Sequence, residues 1–416
     1  MRESSSAAVG EPASWRPILV LIGCTIAITL NVVGIFNGTQ TAFINPMSQE
    51  AGWSRAQVSL GLSLAMFALL VVNPFVGRFA DRFGPRNVIA VGAPVLGIAV
   101  AALGWLPSVY PIYLLGCAIV GIAGALTFNP LYYALIAKWF DRRLGLALGT
   151  VSAGTGVGLM IAPIAAQALI ADLGWRGAYA ALGAFSTIIV LALTFLLLRD
   201  GPKSASTGGE QGRKGAFADL KSVLFWRLAF VYCLAGLAIN GTVIHLMPLI
   251  TDRGISPEVA AGIAAVTGLG VFIARLGIGF ILDYADAGLI GAVCFVVGAL
   301  GIGLLITDIP VPYLALAVFL MGVALGGEGD LLAFMARRAF GMQNYGVNIS
   351  VLSSAFLLGV LSGPPLNGLS YDQTGSYATA MIGFVVIMLV AAALHAGATL
   401  GRPRPNTEAK VEVQSV

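Results

Sequence analysis

Residues 288–307 read GLIGAVCFVVGALGIGLLIT and contain no charged side chain. A helix needs about 20 apolar residues to cross the hydrocarbon core of a bilayer, so this stretch alone predicts a membrane-spanning helix. Comparable stretches recur along the chain, which is 58% hydrophobic and only 10% charged. Soluble domains are about 25% charged. The composition therefore predicts an all-α membrane protein and excludes a soluble one.

Twelve stretches are long and apolar enough to cross a membrane. They cover approximately residues 18–40, 57–78, 87–106, 111–137, 146–170, 177–198, 227–250, 258–282, 288–307, 311–335, 346–369 and 377–399. The long polar connection 199–226 is rich in Ser, Gly and Lys, which is typical of a flexible linker. The predicted organisation is an N-terminal tail (1–17), a six-helix bundle (18–198), the linker (199–226), a second six-helix bundle (227–399) and a C-terminal tail (400–416).

Basic residues predict the orientation of these spans. Nineteen of the 23 Lys and Arg residues fall on the side that holds both tails and the linker. Arg55, Arg176 and Arg253 fall on the other side, and Arg275 lies within a span. Since basic residues concentrate in cytoplasmic loops, both tails and the linker are expected in the cytoplasm.

The two predicted bundles repeat each other. Gly77 and Asp81 at the end of the second span correspond to Gly279 and Asp283 at the end of the eighth. Parallel repeats of this kind place a binding site near the middle of the membrane, between the two bundles.

The loop GRFADRFGPRNV (77–88) resembles the signature of the major facilitator superfamily, Gly-x-x-x-Asp-Arg-x-Gly followed by a basic residue. The resemblance implies twelve transmembrane helices in two pseudo-symmetric six-helix bundles. We expect Gly77 to allow two helices to approach closely, and Asp81, with its repeat Asp283, to cap or pair at a helix end. Arg82 is expected to hold the cytoplasmic face.

Two further stretches resemble the monocarboxylate transporter branch, which also holds bacterial oxalate–formate exchangers. They are KWFDRRLGLALGTVSAGTG (138–156) and GWSRAQ (52–57). Arg275, in GLGVFIARLGIGF, falls where that branch places its substrate-binding arginine. The Gly-Thr-Gly run that begins at Gly154 has no preceding strand to make it a nucleotide site, so its small residues predict close helix packing.

Charges inside spans are costly, and by default they mark a pathway for a substrate or a proton. Arg275 and Glu328 each come about 17 residues into spans that run the same way, so they are expected at similar depth. Arg275 is predicted to bind a carboxylate with paired hydrogen bonds, and Glu328 to carry a proton. The alternative is a fixed Arg275–Glu328 ion pair that locks the helices. Asp330 points away from Glu328 on the helix and stays open between proton carrier and structural acceptor.

Other polar residues in the spans provide hydrogen-bonding groups. The candidates for substrate binding beside Arg275 are Asn37, Tyr132, Tyr133, Asn129 and Asn240. Asn129-Pro130 is expected to break the fourth span. His245 titrates near neutral pH and is a third candidate for proton coupling. The alternative for each of these groups is an interhelical hydrogen bond, worth less than about 1 kcal/mol.

These features predict a secondary transporter of a small organic anion, with a monocarboxylate preferred. Transport would be proton symport or carboxylate exchange by alternating access, in a bacterial inner membrane and as a monomer. One alternative is a proton-driven exporter of cationic or amphipathic compounds, which Arg275 disfavours. Another is a membrane sensor or enzyme, which lacks support because no catalytic motif is present. The cysteines are isolated, so neither a metal nor a cofactor is predicted.

Overall fold

A computed structural model of the chain describes residues 15–140, 144–200, 219–281, 286–340 and 345–398. Those ranges are almost entirely helical and contain no β-strand. A π-helical turn at Val33–Asn37 follows the first helix, and a 3-10 turn at Asp219–Lys221 precedes the eighth. The α-helices are α1 (Arg16–Thr29), α2 (Gln40–Ala51), α3 (Arg55–Phe83), α4 (Pro85–Leu103), α5 (Tyr110–Ala125), α6 (Asn129–Ala137), α7 (Leu144–Leu196), α8 (Val223–Val243), α9 (Leu246–Thr251), α10 (Pro257–Ile281), α11 (Ala287–Ile306), α12 (Val311–Phe340), α13 (Tyr345–Thr374) and α14 (Ala378–Ala396).

Within the described ranges, 11 continuous helical stretches are long and apolar enough to cross a membrane. The longest, Leu146–Leu196, belongs to α7, which is interrupted at Gly174, where φ is 68°. Glycine adopts this left-handed conformation without a steric penalty. The two arms of α7 match the separately predicted spans 146–170 and 177–198, which accounts for the difference from the twelve predicted spans.

Large apolar side chains cover the outside of this helical assembly. Leu115, Ile188, Leu300 and Val386 are each more than half exposed. Soluble monomers rarely expose contiguous apolar patches beyond a few hundred Å². The exposed apolar surface and the span lengths together are those of a multi-pass membrane protein.

The first span is broken near its middle, where α1 ends and the π-helical turn begins. Asn31 supports this break, because its Oδ1 accepts hydrogen bonds from the backbone N–H groups of Val33 (2.9 Å) and Gly34 (3.3 Å). These N–H groups would otherwise lack partners at the start of a helical segment.

The fourth span is also broken, as the Asn129-Pro130 dipeptide predicts. Helix α5 ends at Ala125, and α6 begins at Asn129 after an extended Phe128. Proline is accommodated in the first turn of a helix because the N–H that it lacks has no partner there. The predicted break is confirmed.

Helices α1–α7 and α8–α14 pack against each other mainly through α3 with α13 and α7 with α10. A Cβ atom added at Gly156 would lie 2.7 Å from the backbone nitrogen of Phe272 in α10. Added at Gly154 or Gly158, it would lie 2.5 Å or 2.8 Å from carbonyl oxygens of α1. The predicted close packing along this run of small residues is confirmed.

Gly77 does not serve the purpose expected from the sequence. A Cβ atom added there would meet no atom of the described residues within 4 Å. The close helix approaches between the two halves of the chain instead use glycines such as Gly156, which lie at the helix–helix interface rather than near a helix end.

Candidate functional site

Arg275 lies on α10 and points across the interface between the two halves. Its Nη1 donates a hydrogen bond to the carbonyl oxygen of Ser152 on α7, at 3.2 Å. Its Nε is buried and has no hydrogen-bond partner among the described residues. The guanidinium is thus held between the halves, with one donor that no described neighbouring group satisfies.

Glu328 lies level with Arg275 but faces elsewhere. The two depths agree because a Cβ atom at Gly326 would lie 2.8 Å from the Cβ of Ala274. Glu328 is only 1% exposed, and neither carboxylate oxygen has a partner in the described part of the chain. The titratable residues Tyr232 on α8 and Cys294 on α11 lie within electrostatic range of this carboxyl group. The alternative of a fixed Arg275–Glu328 ion pair is not observed.

Three acidic candidates cannot be placed. The side chains of Asp81 and Asp330, and all of Asp283, lie outside the described residues. Arg82 is described, and its guanidinium lies over the ring of Phe83, 5.2 Å from the ring centroid.

Asn129 contributes to a contact between the two broken helices. Its Oδ1 accepts a hydrogen bond of 2.5 Å from Nδ2 of Asn31. The neighbouring Tyr132 is fully buried, and its hydroxyl has no partner in the described structure. Tyr133 is half-buried and packs against the apolar core. Amide and hydroxyl groups of the first half therefore lie close to the breaks in the first and fourth spans.

Asn37 is half-buried and lines a small cavity between the halves, together with Thr41, Val243 and Thr267. The cavity volume is about 20 Å³, which suits a single water molecule rather than an organic acid. Asn240, by contrast, donates to the carbonyl oxygen of Gly236 on its own helix at 3.1 Å. Asn37 and Asn240 therefore do not meet in one closed pocket in this conformation.

His245 lies at the break between α8 and α9 and is fully buried. Its Nε2 is 2.9 Å from the carbonyl oxygen of Pro364. A carbonyl only accepts hydrogen bonds, so Nε2 carries the proton in this arrangement. Its Nδ1 is buried without a partner among the described groups, and the ring lies 5.2 Å from that of Tyr377.

A larger cavity of about 380 Å³ opens beyond the small one, towards the face predicted to be extracellular. Pockets of this volume can hold a small organic molecule. Thr41 lines both cavities, and its Oγ1 accepts a hydrogen bond of 2.9 Å from the backbone N–H of Met247. The other polar residues of the larger cavity are Asn45, Gln49, Arg55, Gln167, Thr251 and Asp252.

Arg55 joins the two halves at this outer face, a role that the sequence analysis missed. Its guanidinium binds Asp252 through two hydrogen bonds of 2.5 and 2.8 Å and donates to the hydroxyl of Tyr377 at 2.7 Å. It also lies over the ring of Tyr371, and Asp372 accepts from the Arg55 backbone N–H at 3.2 Å. One sequence feature could have indicated this role, namely the position of Arg55 within GWSRAQ on a face with few basic residues.

The cavities and Arg275 lie at different depths of the interface between the halves. Thr267, in the wall of the small cavity, precedes Arg275 by eight residues on α10, a rise of about 12 Å along a helix. The arrangement places two cavities towards the outer face and a guanidinium deeper on the surface where α7 and α10 meet.

Comparison with known proteins identifies one matching family and several similar proteins. The sequence model of the Major Facilitator Superfamily matches residues 25–328. Monocarboxylate transporter 11 of Homo sapiens is 28% identical over 355 residues, covering 80% of this chain and 72% of the relative. The MFS transporter asaE of Aspergillus flavus is 25% identical over 393 residues, covering 92% and 85%.

Solved structures share the fold. A bacterial homologue of the human lysosomal transporter Spinster, in an inward-facing and unoccupied conformation, aligns with a TM-score of 0.71 at 19% identity. That alignment covers 93% of this chain and 98% of the homologue. A mutant of the nucleoside transporter NupG aligns with a TM-score of 0.74 at 16% identity, over 91% of this chain and 100% of NupG.

Proposed function

The chain belongs to the Major Facilitator Superfamily, whose members move small molecules across membranes and are not enzymes, and we propose that it transports small organic anions. Monocarboxylates are the preferred class. Transport is by alternating access, coupled to protons or to exchange of a second carboxylate, in a bacterial inner membrane. The functional unit is a monomer, with both termini in the cytoplasm.

The observation that carries this proposal is the position of Arg275. This guanidinium lies between the halves and has a buried N–H without a partner among the described residues. It is suited to a carboxylate, because Arg can bind a carboxylate with two parallel hydrogen bonds. Ser152 supplies only one acceptor, so a bound anion can accept hydrogen bonds from the remaining N–H groups of the guanidinium. The similarity to a protein named as a monocarboxylate transporter supports the same class of substrate.

The remaining polar groups take supporting roles in the proposal. Asn37 lines the route from the outer cavity towards Arg275. The residues that contact the rest of a small acid in other conformations are Asn129, Tyr132, Tyr133 and Asn240. Residues that act in the conformational change are Asp81, Arg82 and Asp283.

Glu328 is the preferred proton carrier, with Asp330 and His245 as further candidates. The electrostatic argument is that an anion beside Arg275 makes an ionised carboxylate at the same depth more costly. Substrate and proton therefore favour each other's binding. This coupling gives transport that depends on the pH gradient.

Uptake into proteoliposomes tests the proposal. Purified protein would be supplied with labelled lactate, oxalate or a lipophilic cation, with and without an inwardly directed proton gradient. We expect accumulation of lactate that increases with the gradient, or exchange of lactate against internal carboxylate. Transport of the cation with no transport of any carboxylate would contradict the proposal and favour the exporter.

A further inference from the structure

A chain of buried polar groups crosses the second half of the protein, away from the interface that carries Arg275. His395, near the end of α14, is fully buried. Its Nδ1 is 3.1 Å from the carbonyl oxygen of Gly288, and its Nε2 is 3.3 Å from the hydroxyl of Tyr232. Since the carbonyl only accepts, Nδ1 carries a proton, and Nε2 of the neutral ring accepts from the tyrosine hydroxyl.

Tyr232 connects this histidine to the neighbourhood of Glu328. Tyr232 is fully buried on α8 and lies within electrostatic range of Glu328. The turn that carries Glu328 also packs on α11, because a Cβ atom at Gly327 would lie 3.4 Å from Sγ of Cys294. Burying several polar groups together is costly unless their hydrogen bonds compensate, so this arrangement is not explained by packing alone.

The other end of the chain of polar groups reaches the first turn of α11. Asp286 caps α11 there, with its Oδ1 accepting from the backbone N–H groups of Gly288 and Leu289. Among the described residues, the charged groups within electrostatic range of His395 are Arg227 of α8 and Asp286. Apart from them, Tyr232 is the titratable group that faces the imidazole, and the Phe295 ring lies edge-on to it. This end adjoins the face that holds the linker.

We propose that Tyr232 and His395 form a proton path between Glu328 and the linker face, separate from the substrate route past Arg275. The inference rests on the proposed proton coupling and names its route. In the transfer step, the Tyr232 hydroxyl gives its proton to Nε2 of His395 and receives one from the Glu328 carboxylic acid. Tyr232 is unchanged, Glu328 becomes a carboxylate and His395 an imidazolium, which then loses a proton to water at the linker face.

The proton path depends on a rotation of the Glu328 side chain. Neither of its oxygens bonds to Tyr232 in this conformation, so transfer requires rotation of the carboxyl towards the tyrosine hydroxyl. This break in the path prevents a continuous proton leak. The position of Glu328 beside the helix that carries Arg275 allows its rotation to depend on substrate.

The substitution Tyr232→Phe tests the path, because it removes the hydroxyl and keeps the ring. We expect uptake driven by a proton gradient to fall about tenfold or more, since a positioned proton-transfer group contributes at least that much. Counterflow exchange at equal pH should stay within about twofold of wild type because substrate binding is untouched. His395→Gln is expected to behave in the same way. Wild-type gradient-driven uptake by Tyr232→Phe would overturn the path.

Tyr179→Phe is the matched control. Tyr179 is an equally buried tyrosine in the first half, hydrogen-bonded to Gln40 at 3.1 Å and to Sδ of Met47 at 3.7 Å. Its removal should leave the ratio of gradient-driven uptake to exchange unchanged. If Tyr179→Phe lowered this ratio as much as Tyr232→Phe does, the effect would be structural and the path would be wrong.

An infrared measurement separates this inference from the proposed function, because it needs no substrate. The band of a protonated carboxylic acid would be followed as the pH is stepped, and Glu328→Gln would identify it. We expect Tyr232→Phe to slow the response of this band to pH. If wild-type protein moved no carboxylate but kept this dependence on Tyr232, the path would stand and the proposed substrate would be wrong. A response unaffected by Tyr232→Phe would reject the path.

Discussion

The contact that Arg275 makes across the interface between the halves is more informative than its charge alone. It extends from α10 to a backbone carbonyl of α7, and it keeps a buried N–H that has no partner in the described part of the chain. A charge in hydrocarbon is costly unless it is paired or reaches water. An arginine retained at such a cost and only partly satisfied is suited to a ligand that arrives and leaves.

The substitution Arg275→Ala is expected to weaken carboxylate binding by about two orders of magnitude, because truncating one partner of a buried charged pair costs about 2–5 kcal/mol. Arg275→Lys should keep part of the affinity, since it retains the charge and loses the paired geometry. Equilibrium binding of a labelled monocarboxylate to purified protein measures both effects. Binding by Arg275→Ala equal to that of wild type would remove Arg275 from the site.

At the scale of helices, the two interruptions in the first half are linked. The breaks in the first and fourth spans face each other through the amides of Asn31 and Asn129. In a membrane, irregular backbone is tolerated where protein or water satisfies it. The Asn31 side chain supplies this satisfaction for one break and ties it to the other.

Helix α7 carries the close contact between the halves, which makes Gly156→Ala informative. The added methyl group would press on the backbone of α10, and overpacking costs about 1–3 kcal/mol. We therefore expect this conformation to be disfavoured and the uptake rate to fall several-fold. Gly149→Ala, on the same helix, places its methyl in open space and serves as the control. Unchanged uptake by Gly156→Ala would show that separating α7 from α10 at this position costs no free energy.

At the scale of the whole molecule, contacts on the outer face hold the two halves together. Beside the Arg55 network, Asn45 donates to Oγ1 of Thr251 at 3.0 Å and Ser63 donates to the carbonyl oxygen of Leu361 at 2.6 Å. Opening towards this face must break these contacts together. In the proposed alternating access, these contacts would set the balance between the two orientations.

Weakening the contacts of Arg55 on the outer face should expose the interface between the halves to reagents on that side. We expect Asp252→Asn to speed labelling of Thr267→Cys by a membrane-impermeant thiol reagent about tenfold, since 1.4 kcal/mol corresponds to that population change. The background would lack the native cysteines. Asp308→Asn, which changes the same charge on an exposed residue of that face, should have no effect. Equal labelling in both variants would show that the Arg55–Asp252 pair does not keep the outer side closed.

The sequence by itself determined the spans, the break at Asn129-Pro130, and the presence of charges where lipid is expected. These features depend on local composition and on the thickness of a bilayer, so they can be found one segment at a time. It also gave the similar depths of Arg275 and Glu328, because rise along a helix is fixed by residue count.

Only the tertiary structure decided which way each charge faces and which partner it meets. Glu328 does not bond to Arg275 despite their similar depth, and Arg55 pairs with a residue 197 positions away. The Tyr232–His395 contact was likewise not predicted, because a histidine at the end of an apolar span gives no signal of its partner. The physical reason is that helix rotation and close approach are set by interlocking small residues from distant segments, and no local pattern records them.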